Sequence, residues 1–369
     1  MAGSRKGTRS AKGARSRSAS NGRSLQAYTS TEEFRAAPVG PTTSTQAVVR
    51  KRPILKYSLI GIGVTALLLI GGGLAFGYWT VQKALPTING TVKMAGLAAP
   101  VTITRDTYGV PHIAASNIED LYAAQGYVHA QDRLFQMYLL RAAGYGRLSE
   151  AFGDGFVDTD RFLRTVGFGR AAEAELAQMD PKVRAGLEAY ARGVNEFIHT
   201  HADSLPLEFN IQGLKMEDWK ALDSVTFGKL QAWDLSDSWD NDLMAADLRA
   251  KVGDEKAAQM LPGYPDDAPF VVPGANSGQY LPALQAYRQY VRPHLPNFGL
   301  SELGSNNWVV DSTKSTTGKP LLANDPHLGV RNPSIWYQVH LSTTDDKYDA
   351  TGFGFASAPG IVTGHNKEI

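Results

Sequence analysis

No Asp, Glu, Lys or Arg occurs in the segment from residue 57 to residue 82. As a helix this segment would be roughly 39 Å long at about 1.5 Å per residue, which is enough to cross a hydrocarbon core of about 30 Å. Consecutive large aliphatic residues at 67–70 form its centre, and aromatic residues lie near both ends, where amphipathic rings favour the membrane interface. The segment therefore predicts one transmembrane helix over residues 57–82.

Basic residues come directly before this segment, at Arg50, Lys51, Arg52 and Lys56. Cationic flanks stay on the cytoplasmic side of a membrane, so we expect a single-pass signal anchor in the cell membrane with an extracytoplasmic body.

Two alternatives to a signal anchor stay open. A cleaved signal peptide usually has a short charged region and an apolar run of about 7–15 residues. A buried core helix is the other, although the segment shows almost no helical periodicity.

The sequence before this segment, 1–56, is strongly basic, with 12 Lys/Arg and 2 Asp/Glu. It is rich in Ser and Gly and poor in large apolar side chains, so it cannot bury a core and predicts a disordered cytoplasmic tail. Contact with anionic lipid or nucleic acid is one interpretation of such a tail. A role in setting the membrane topology alone is the other, and we favour it.

The rest of the chain is acidic, with 25 Lys/Arg against 34 Asp/Glu over residues 57–369. This charge excludes a body that binds nucleic acid. A hydrophobic content of 43% fits a globular core. The sequence has no cysteine, which excludes a disulfide scaffold, a thiolate zinc site and a Cys nucleophile.

Hydrophobic spacing divides the body into a helical part and a β-rich part. A strand, a turn and a second strand are predicted between 101 and 112, and residues 113–250 have mainly helical spacing. Ser116-x-x-Glu119 has the pattern of a capping box at the first helix. Residues 262–304 hold seven prolines, which break long elements and indicate a linker or an excised spacer. Further strands are predicted near 308–311, 320–323, 335–341 and 349–355. Predicted core residues of the helical part are Trp219, Leu230 and Leu243.

Six motifs follow one another along the body. They are RDxYGVPHI at 105–113, GYVHAQDRLFQM at 126–137, GxGRLSE at 144–150, GSNNWVV at 304–310, NDPHL at 324–328 and PGxxxGHN at 359–366. Together, and in this order along almost the whole body, they resemble the N-terminal half of a penicillin acylase (penicillin amidase) family precursor, a group of N-terminal-nucleophile hydrolases.

The resemblance implies an α+β fold, the four-layer αββα sandwich of these hydrolases, of which the chain holds only a part. It implies a mainly helical α-chain region at 88–261, a spacer at 262–304 and the start of the β chain at 305–369. The residues after 305 are too few to complete the sandwich. We therefore expect unpaired strand edges and no turnover from this chain alone.

By the same resemblance, Ser305 is the nucleophile, and the precursor cleaves itself between Gly304 and Ser305. The new α-amine of Ser305 then serves as the base, since an α-amine titrates near about 7.7–8.0 against about 10.4 for Lys. Glycine has no Cβ, so the backbone before the nucleophile can be strained into an N→O acyl shift. Taken without the resemblance, the Gly-Ser pair is an ordinary turn.

The resemblance also assigns His327, in the NDPHL motif that follows Ser305, to the neighbourhood of the nucleophile, with its backbone N–H helping to stabilise the oxyanion. Family members that act on penicillin G tend to have Gln here, whereas cephalosporin and acyl-homoserine-lactone acylases have His. This favours the second group of substrates. A His after Pro would otherwise be interpreted as a core or loop residue.

A structural calcium ion is the one cofactor that the resemblance implies, and Asp242 takes the place of a family Glu that binds it. Asp is also a hard oxygen donor, but Asp242 could equally be a solvated carboxylate on a helix that binds no metal.

The pair His199-x-His201 is interpreted as two surface residues rather than a metal site, because residues two apart on a helix face different sides. No organic cofactor is expected.

The predicted function is therefore that of a membrane-anchored, autoproteolytically processed amidohydrolase. Its substrate would be a small-molecule N-acyl amide of the penicillin or acyl-homoserine-lactone type, and its α and β chains would stay together after self-cleavage. The alternative is a catalytically inactive, membrane-tethered binding or scaffold homologue, or an incomplete fragment of a longer protein.

Overall fold

The computed structural model describes residues 54–236, 239–261, 281–291 and 305–367. Most of the predicted tail, most of the predicted spacer and Gly304 lie outside these residues. Contacts divide the chain into two units, residues 1–65 and 66–369. The described part of the first unit is helical, and the second unit holds all of the strands that the structure describes.

The uncharged segment forms one long helix, α1 (Ile54–Ala84). Its stretch Lys56–Ala84 has a mean hydropathy of 2.2 and is long and apolar enough to cross a membrane, and none of its most apolar window is buried. A core helix would be largely buried. The described residues therefore do not bury this segment as a core helix, and it remains a candidate membrane span.

The helical part of the second unit follows a short β-hairpin. Its helices are α2 (Ile118–Tyr145), α3 (Leu148–Phe152), α4 (Val157–Val166), α5 (Phe168–Gln178), α6 (Pro181–Thr200), α7 (Leu207–Gln212), α8 (Ala221–Ser236), α9 (Trp239–Val252), α10 (Asp254–Met260) and α11 (Leu281–Val291). The predicted helical spacing over 113–250 is confirmed. Helix α11 lies inside the proline-rich region, and Pro282 is its second residue, a position where the missing N–H of proline costs no helix hydrogen bond.

Seven strands are described, in two sheets. They are β1 (Thr102–Arg105), β2 (Pro111–Ala115), β3 (Ser305–Val310), β4 (Leu321–Pro326), β5 (Trp336–Thr343), β6 (Asp349–Phe355) and β7 (Thr363–Asn366). Strands β3 and β4 form a separate antiparallel pair, and the others form a sheet of order β1-β2-β5-β6-β7. Strands β2 and β5 run parallel, while the other neighbours are antiparallel. The large sheet therefore joins the sequence before residue 305 to the sequence after it.

The core is built around the contact between α2 and α6. Gly126 of α2 lies directly over the backbone of Tyr190, and Gly193 of α6 lies directly over the backbone of Ala123. Large side chains from both helices are buried beside this contact, together with the predicted core residue Trp219. The two helices thus approach each other at backbone distance because neither position carries a side chain.

A polar network ties α2 to the sheet. The Arg105 guanidinium donates to both carboxylate oxygens of Asp132, at 2.9 and 3.0 Å, and to Gln131 at 2.7 Å. The Tyr337 hydroxyl donates to the same Asp132 carboxylate, and burial raises the pKa of Tyr337. Residues of β1, α2 and β5 are therefore joined through one carboxylate.

Two details of the sequence interpretation are wrong. The N-cap of α2 is Asn117, whose side chain accepts a hydrogen bond from the Asp120 N–H at 2.8 Å, so Ser116-x-x-Glu119 is not the capping box. Asn and Ser cap helices about equally well, which is why the pattern misplaced the start by one residue. Leu243 is half-buried in α9 rather than a core residue, whereas Leu230 is buried as expected.

A buried histidine makes the stability of this core depend on pH. His129 of α2 is fully buried, with its Nδ1 at 2.9 Å from the Tyr190 hydroxyl and no hydrogen-bond partner for Nε2 among the described residues. Burial, and secondarily the charge of Arg133, lower its pKa to about 3. His129 therefore stays neutral in the folded protein at any pH well above 3.

We expect the full-length protein to lose stability as the pH falls from about 6.5 towards 3, because the unfolded chain takes up a proton at His129 and the folded chain does not. At pH 4.5 this site alone should cost about 2–3 kcal/mol of the free energy of unfolding. His129→Gln should flatten that part of the pH profile. Denaturant unfolding at pH 7 and 4.5 measures the difference, and equal pH profiles for wild type and His129→Gln would contradict it.

Candidate active site

Ser305 is the first residue of β3 and is exposed. The register of the β3–β4 pair places Ser305 opposite Pro326, Asn306 opposite Asp325 and Asn307 opposite Asn324. His327 is the next residue after Pro326. The ladder thus brings the two predicted site residues to the same end of one strand pair, although they belong to separate motifs of the sequence.

Alternation along the strands assigns the Ser305 side chain to one face of this pair. Residues directly opposite each other point to the same side, and successive residues point to opposite sides. Ser305 therefore shares its face with the strand residues Val309, Leu322, Asn324 and Pro326. These four line a cavity of about 780 Å³ between the β3–β4 pair and strands β5, β6 and β7 of the large sheet, whereas Ser305 itself is not among the residues that line it.

The cavity is mainly apolar. Its other walls include Trp336 of β5, Phe353 of β6 and His365 of β7. Asn324 closes one side by donating from Nδ2 to the Thr363 hydroxyl at 2.6 Å. No residue of the 233–243 region, where the resemblance suggested an acyl pocket, is among the described residues that line this cavity.

The His327 imidazole is held by a carboxylate of the preceding strand. Its Nε2 lies 2.7 Å from Asp325 Oδ2. Asp325 is adjacent to Pro326 and so projects to the face opposite Ser305. This arrangement leaves the backbone of His327, rather than its ring, as the part that could assist Ser305. Asp325 had no assigned role in the sequence interpretation, although the NDPHL motif contains it.

The predicted metal ligand Asp242 is exposed on α9. Calcium takes about six to eight oxygen ligands, and no group of three or more His, Asp or Glu residues that could hold a metal ion is found among the described residues. The described residues around Asp242 therefore do not assemble a calcium site, and its role as a ligand stays a prediction.

His199 of the His199-x-His201 pair is exposed, as expected, whereas His201 is half-buried. His199 Nε2 is 2.7 Å from Asp218 Oδ1, a carboxylate partner that the sequence did not reveal. The ring of His201 instead stacks on Phe197, with 4.2 Å between the ring centroids. The two imidazoles have different partners and do not form a common site.

Sequence comparison decides the family. The sequence model of the penicillin amidase family matches residues 100–369. The chain belongs to the penicillin amidase family. The match covers both parts of the body, from β1 to the end of the chain, and includes Ser305, His327 and Asp242.

Curated members of the penicillin amidase family match over a similar range. The acyl-homoserine lactone acylase QuiP of Pseudomonas aeruginosa is 36% identical over 291 residues, which are 78% of this chain and 34% of that protein. The penicillin acylase 2 proenzyme of Pseudomonas sp. is 33% identical over 298 residues, 78% of this chain and 38% of that protein. The chain thus spans little more than a third of the length of these relatives.

A solved structure is also similar to part of the chain. The thermostable penicillin G acylase from Alcaligenes faecalis is 27% identical, with a TM-score of 0.39, and the match covers 48% of this chain and 98% of that one.

Proposed function

We propose that the full-length protein is a membrane-anchored amidohydrolase that cuts its own chain before Ser305 and then hydrolyses the amide bond of an N-acyl substrate. Membership of the penicillin amidase family and relatives named as acylases support this proposal. The observation that carries it is the register of Ser305 with Pro326, next to His327. Pro326 lines an apolar cavity, although Ser305 and His327 are not among the residues that line it. The αββα sandwich of N-terminal-nucleophile hydrolases is part of the same proposal.

The proposed chemistry needs one residue to act as both nucleophile and base. After cleavage the neutral α-amine of Ser305 takes the proton of its own hydroxyl, and Oγ attacks the amide carbonyl carbon. The amine then protonates the leaving nitrogen as the C–N bond breaks, which leaves an ester on Oγ. Water hydrolyses this ester, so the products are a carboxylic acid and a free amine. The His327 N–H would help to stabilise the oxyanion of the tetrahedral intermediates.

We infer an N-acyl substrate with an apolar acyl group. The cavity on the Ser305 face is lined by Val309, Leu322, Trp336 and Phe353, and such walls bind hydrocarbon rather than charge. The QuiP relative acts on acyl-homoserine lactones by its name, and His327 favours the same class. Penicillin-type amides are the second candidate, because another relative is named a penicillin acylase.

We further infer that α1 anchors the body on the extracytoplasmic side of the cell membrane. The helix is long and apolar enough to span a bilayer, and the basic residues that precede it favour a cytoplasmic N-terminus. The full-length protein should therefore stay in the membrane fraction after alkaline extraction. Recovery of an intact, unprocessed chain in the soluble fraction would contradict this anchor.

N-terminal sequencing and intact-mass measurement of the expressed full-length protein test the proposed function. A new N-terminus at Ser305, together with release of free amine from N-acyl amides, is the expected result. An uncut, inactive full-length chain would contradict the hydrolase and favour the scaffold alternative.

A further inference from the structure

A second large cavity has no role in the proposed hydrolysis. Its volume is about 800 Å³, within the range of about 300–1,000 Å³ that is usual for small-molecule sites. It shares no lining residue with the cavity beside the β3–β4 pair. Most of its walls are apolar, and they include Leu139 of α2, Phe152 of α3 and Leu207 of α7. Such walls bind the hydrocarbon part of a ligand.

The end of the candidate membrane helix forms part of the wall of this cavity. Val81 and Ala84 of the last turn of α1 line it, and so does Leu85. These residues belong to the second unit of the chain, residues 66–369, like the rest of the lining. Gln131 of α2 donates from Nε2 to the Thr87 carbonyl oxygen at 3.0 Å, which fastens the chain that leaves α1 to the body. The cavity therefore lies where the body would meet the membrane surface.

The position of Val81 along α1 gives the level of the cavity relative to a bilayer. Val81 comes 11–14 residues after the aliphatic centre at 67–70, which is roughly 16–21 Å along a helix that follows the membrane normal. The hydrocarbon core ends about 15 Å from the bilayer centre, and the headgroups extend to about 20–22 Å. Tyr78 and Trp79 are exposed just before this level, and such rings favour the interface. Val81 therefore lies at the depth of the lipid headgroups.

The cavity also contains an arginine with an unsatisfied hydrogen-bond donor. Arg331 lines the cavity and is half-buried, and its buried Nη2 atom has no hydrogen-bond partner among the described residues. Burial lowers the pKa of this guanidinium, and attraction by the Asp234 carboxylate offsets only part of that effect. A buried polar group without a partner is costly, so an anion that accepts hydrogen bonds from Arg331 would stabilise it.

The other charges that line the cavity leave a positive excess. The Asp132 carboxylate is already neutralised by Arg105, which donates to both of its oxygens. Arg133 donates to the Ser334 carbonyl oxygen, which is a neutral acceptor. Glu208 is exposed and compensates only one of the two arginines that line the cavity. The lining therefore favours an anionic ligand with a hydrocarbon part.

We propose that this cavity binds one anionic phospholipid of the membrane, with an acyl chain along the apolar walls and the phosphate at Arg331. A guanidinium suits a phosphate because it donates two parallel hydrogen bonds to its oxygens. Inorganic phosphate alone would leave the apolar walls uncovered, and a zwitterionic lipid would bring a second cation close to Arg331. This lipid site rests on the proposed membrane anchor and does not depend on the hydrolase chemistry.

The test is a titration of lipid into the full-length protein, purified in detergent and stripped of lipid, with native mass spectrometry to count the bound molecules. One phosphatidylglycerol should bind per chain, about tenfold more tightly than phosphatidylcholine, an effect usual for a hydrogen bond to a charged group. Arg331→Gln should lose this preference, whereas Arg331→Lys, which keeps the charge, should retain part of it. Arg184→Gln is the matched control, because Arg184 is exposed on α6 and pairs with Glu188, and it should bind like the wild type.

Three results would overturn the lipid site. Equal preference for phosphatidylglycerol in Arg331→Gln and wild type would remove the role of the arginine. Displacement of the lipid by an equal concentration of inorganic phosphate would indicate a site for the free anion. A wild-type protein that stays in the membrane fraction but binds no lipid would mean that the cavity is filled in another way, while the anchor stands. A wild-type protein in the soluble fraction would instead contradict the anchor.

Thermal unfolding gives a second readout. Phosphatidylglycerol should raise the unfolding midpoint of the wild-type protein, because it binds only the folded state, and should raise that of Arg331→Gln less. Leu207→Trp keeps the arginine but fills part of the cavity, so it should weaken the binding of both lipids and serves if Arg331→Gln does not fold. An equal rise of the midpoint in all three proteins would contradict binding in this cavity.

Discussion

Replacing Ser305 with alanine is expected to leave the full-length protein as one uncut chain without amide hydrolase activity. Under the proposed mechanism the same hydroxyl attacks the preceding peptide carbonyl during processing and the substrate carbonyl during turnover. Alanine has no group for either attack. Residual amide hydrolysis should fall by at least about 10³-fold, since removal of a nucleophile usually costs more than this. Intact mass measures the processing, and release of free amine measures the turnover.

A pair of further variants makes this result specific. Ser305→Cys keeps a nucleophile at the same place and should retain some self-cleavage, because a thiol can perform the same acyl shift. Ser312→Ala, a short way after β3, removes a half-buried hydroxyl that the mechanism does not use, and this variant should be processed and active like the wild type. Cleavage before residue 305 in Ser305→Ala would contradict the mechanism, and so would full activity of that variant.

The elements of this fold could largely be predicted from the sequence because their signals are local. The helical spacing that predicted α6, the predicted strands that became β5 and β6, and the uncharged segment that became α1 each depend on a few neighbouring residues. The N-cap of α2 was misplaced because Ser116 and Asn117 are adjacent and both cap helices well. Strand β7 was not predicted, since its short sequence carries no clear alternation.

The candidate site was predictable in part. The motifs identified Ser305 and His327, and the resemblance placed them together. Their register in the β3–β4 pair depends on how the chain turns between the strands, which spacing does not determine. The parallel pairing of β2 with β5 was also not predictable, because the whole helical part separates these two strands in the sequence. Side-chain partners such as Asp325 become visible only when the strands are assembled.

The contact between α2 and α6 explains why glycine stands at two positions inside these helices, although glycine costs roughly 0.5–1 kcal/mol in a helix relative to alanine. A Cβ at Gly193 would lie 1.7 Å from the Ala123 carbonyl oxygen and 2.9 Å from the Tyr127 nitrogen. A Cβ at Gly126 would lie 2.1 Å from the Tyr190 carbonyl oxygen. These neighbours are backbone atoms, so no side chain can rotate away, and the helices would have to separate.

We therefore expect Gly193→Ala to be among the most destabilising single substitutions in the body, with a loss of more than about 3 kcal/mol, at or above the upper end of overpacking effects. Separation of α2 from α6 would also move Asp132 away from Arg105 and Tyr337, and so loosen the sheet. The matched control is Gly228→Ala in α8, where a Cβ would meet nothing within 4 Å. That variant should be neutral or more stable by up to about 1 kcal/mol. Unfolding midpoints of the full-length variants measure the contrast, and a Gly193→Ala protein as stable as Gly228→Ala would mean that the two helices do not pack at backbone distance.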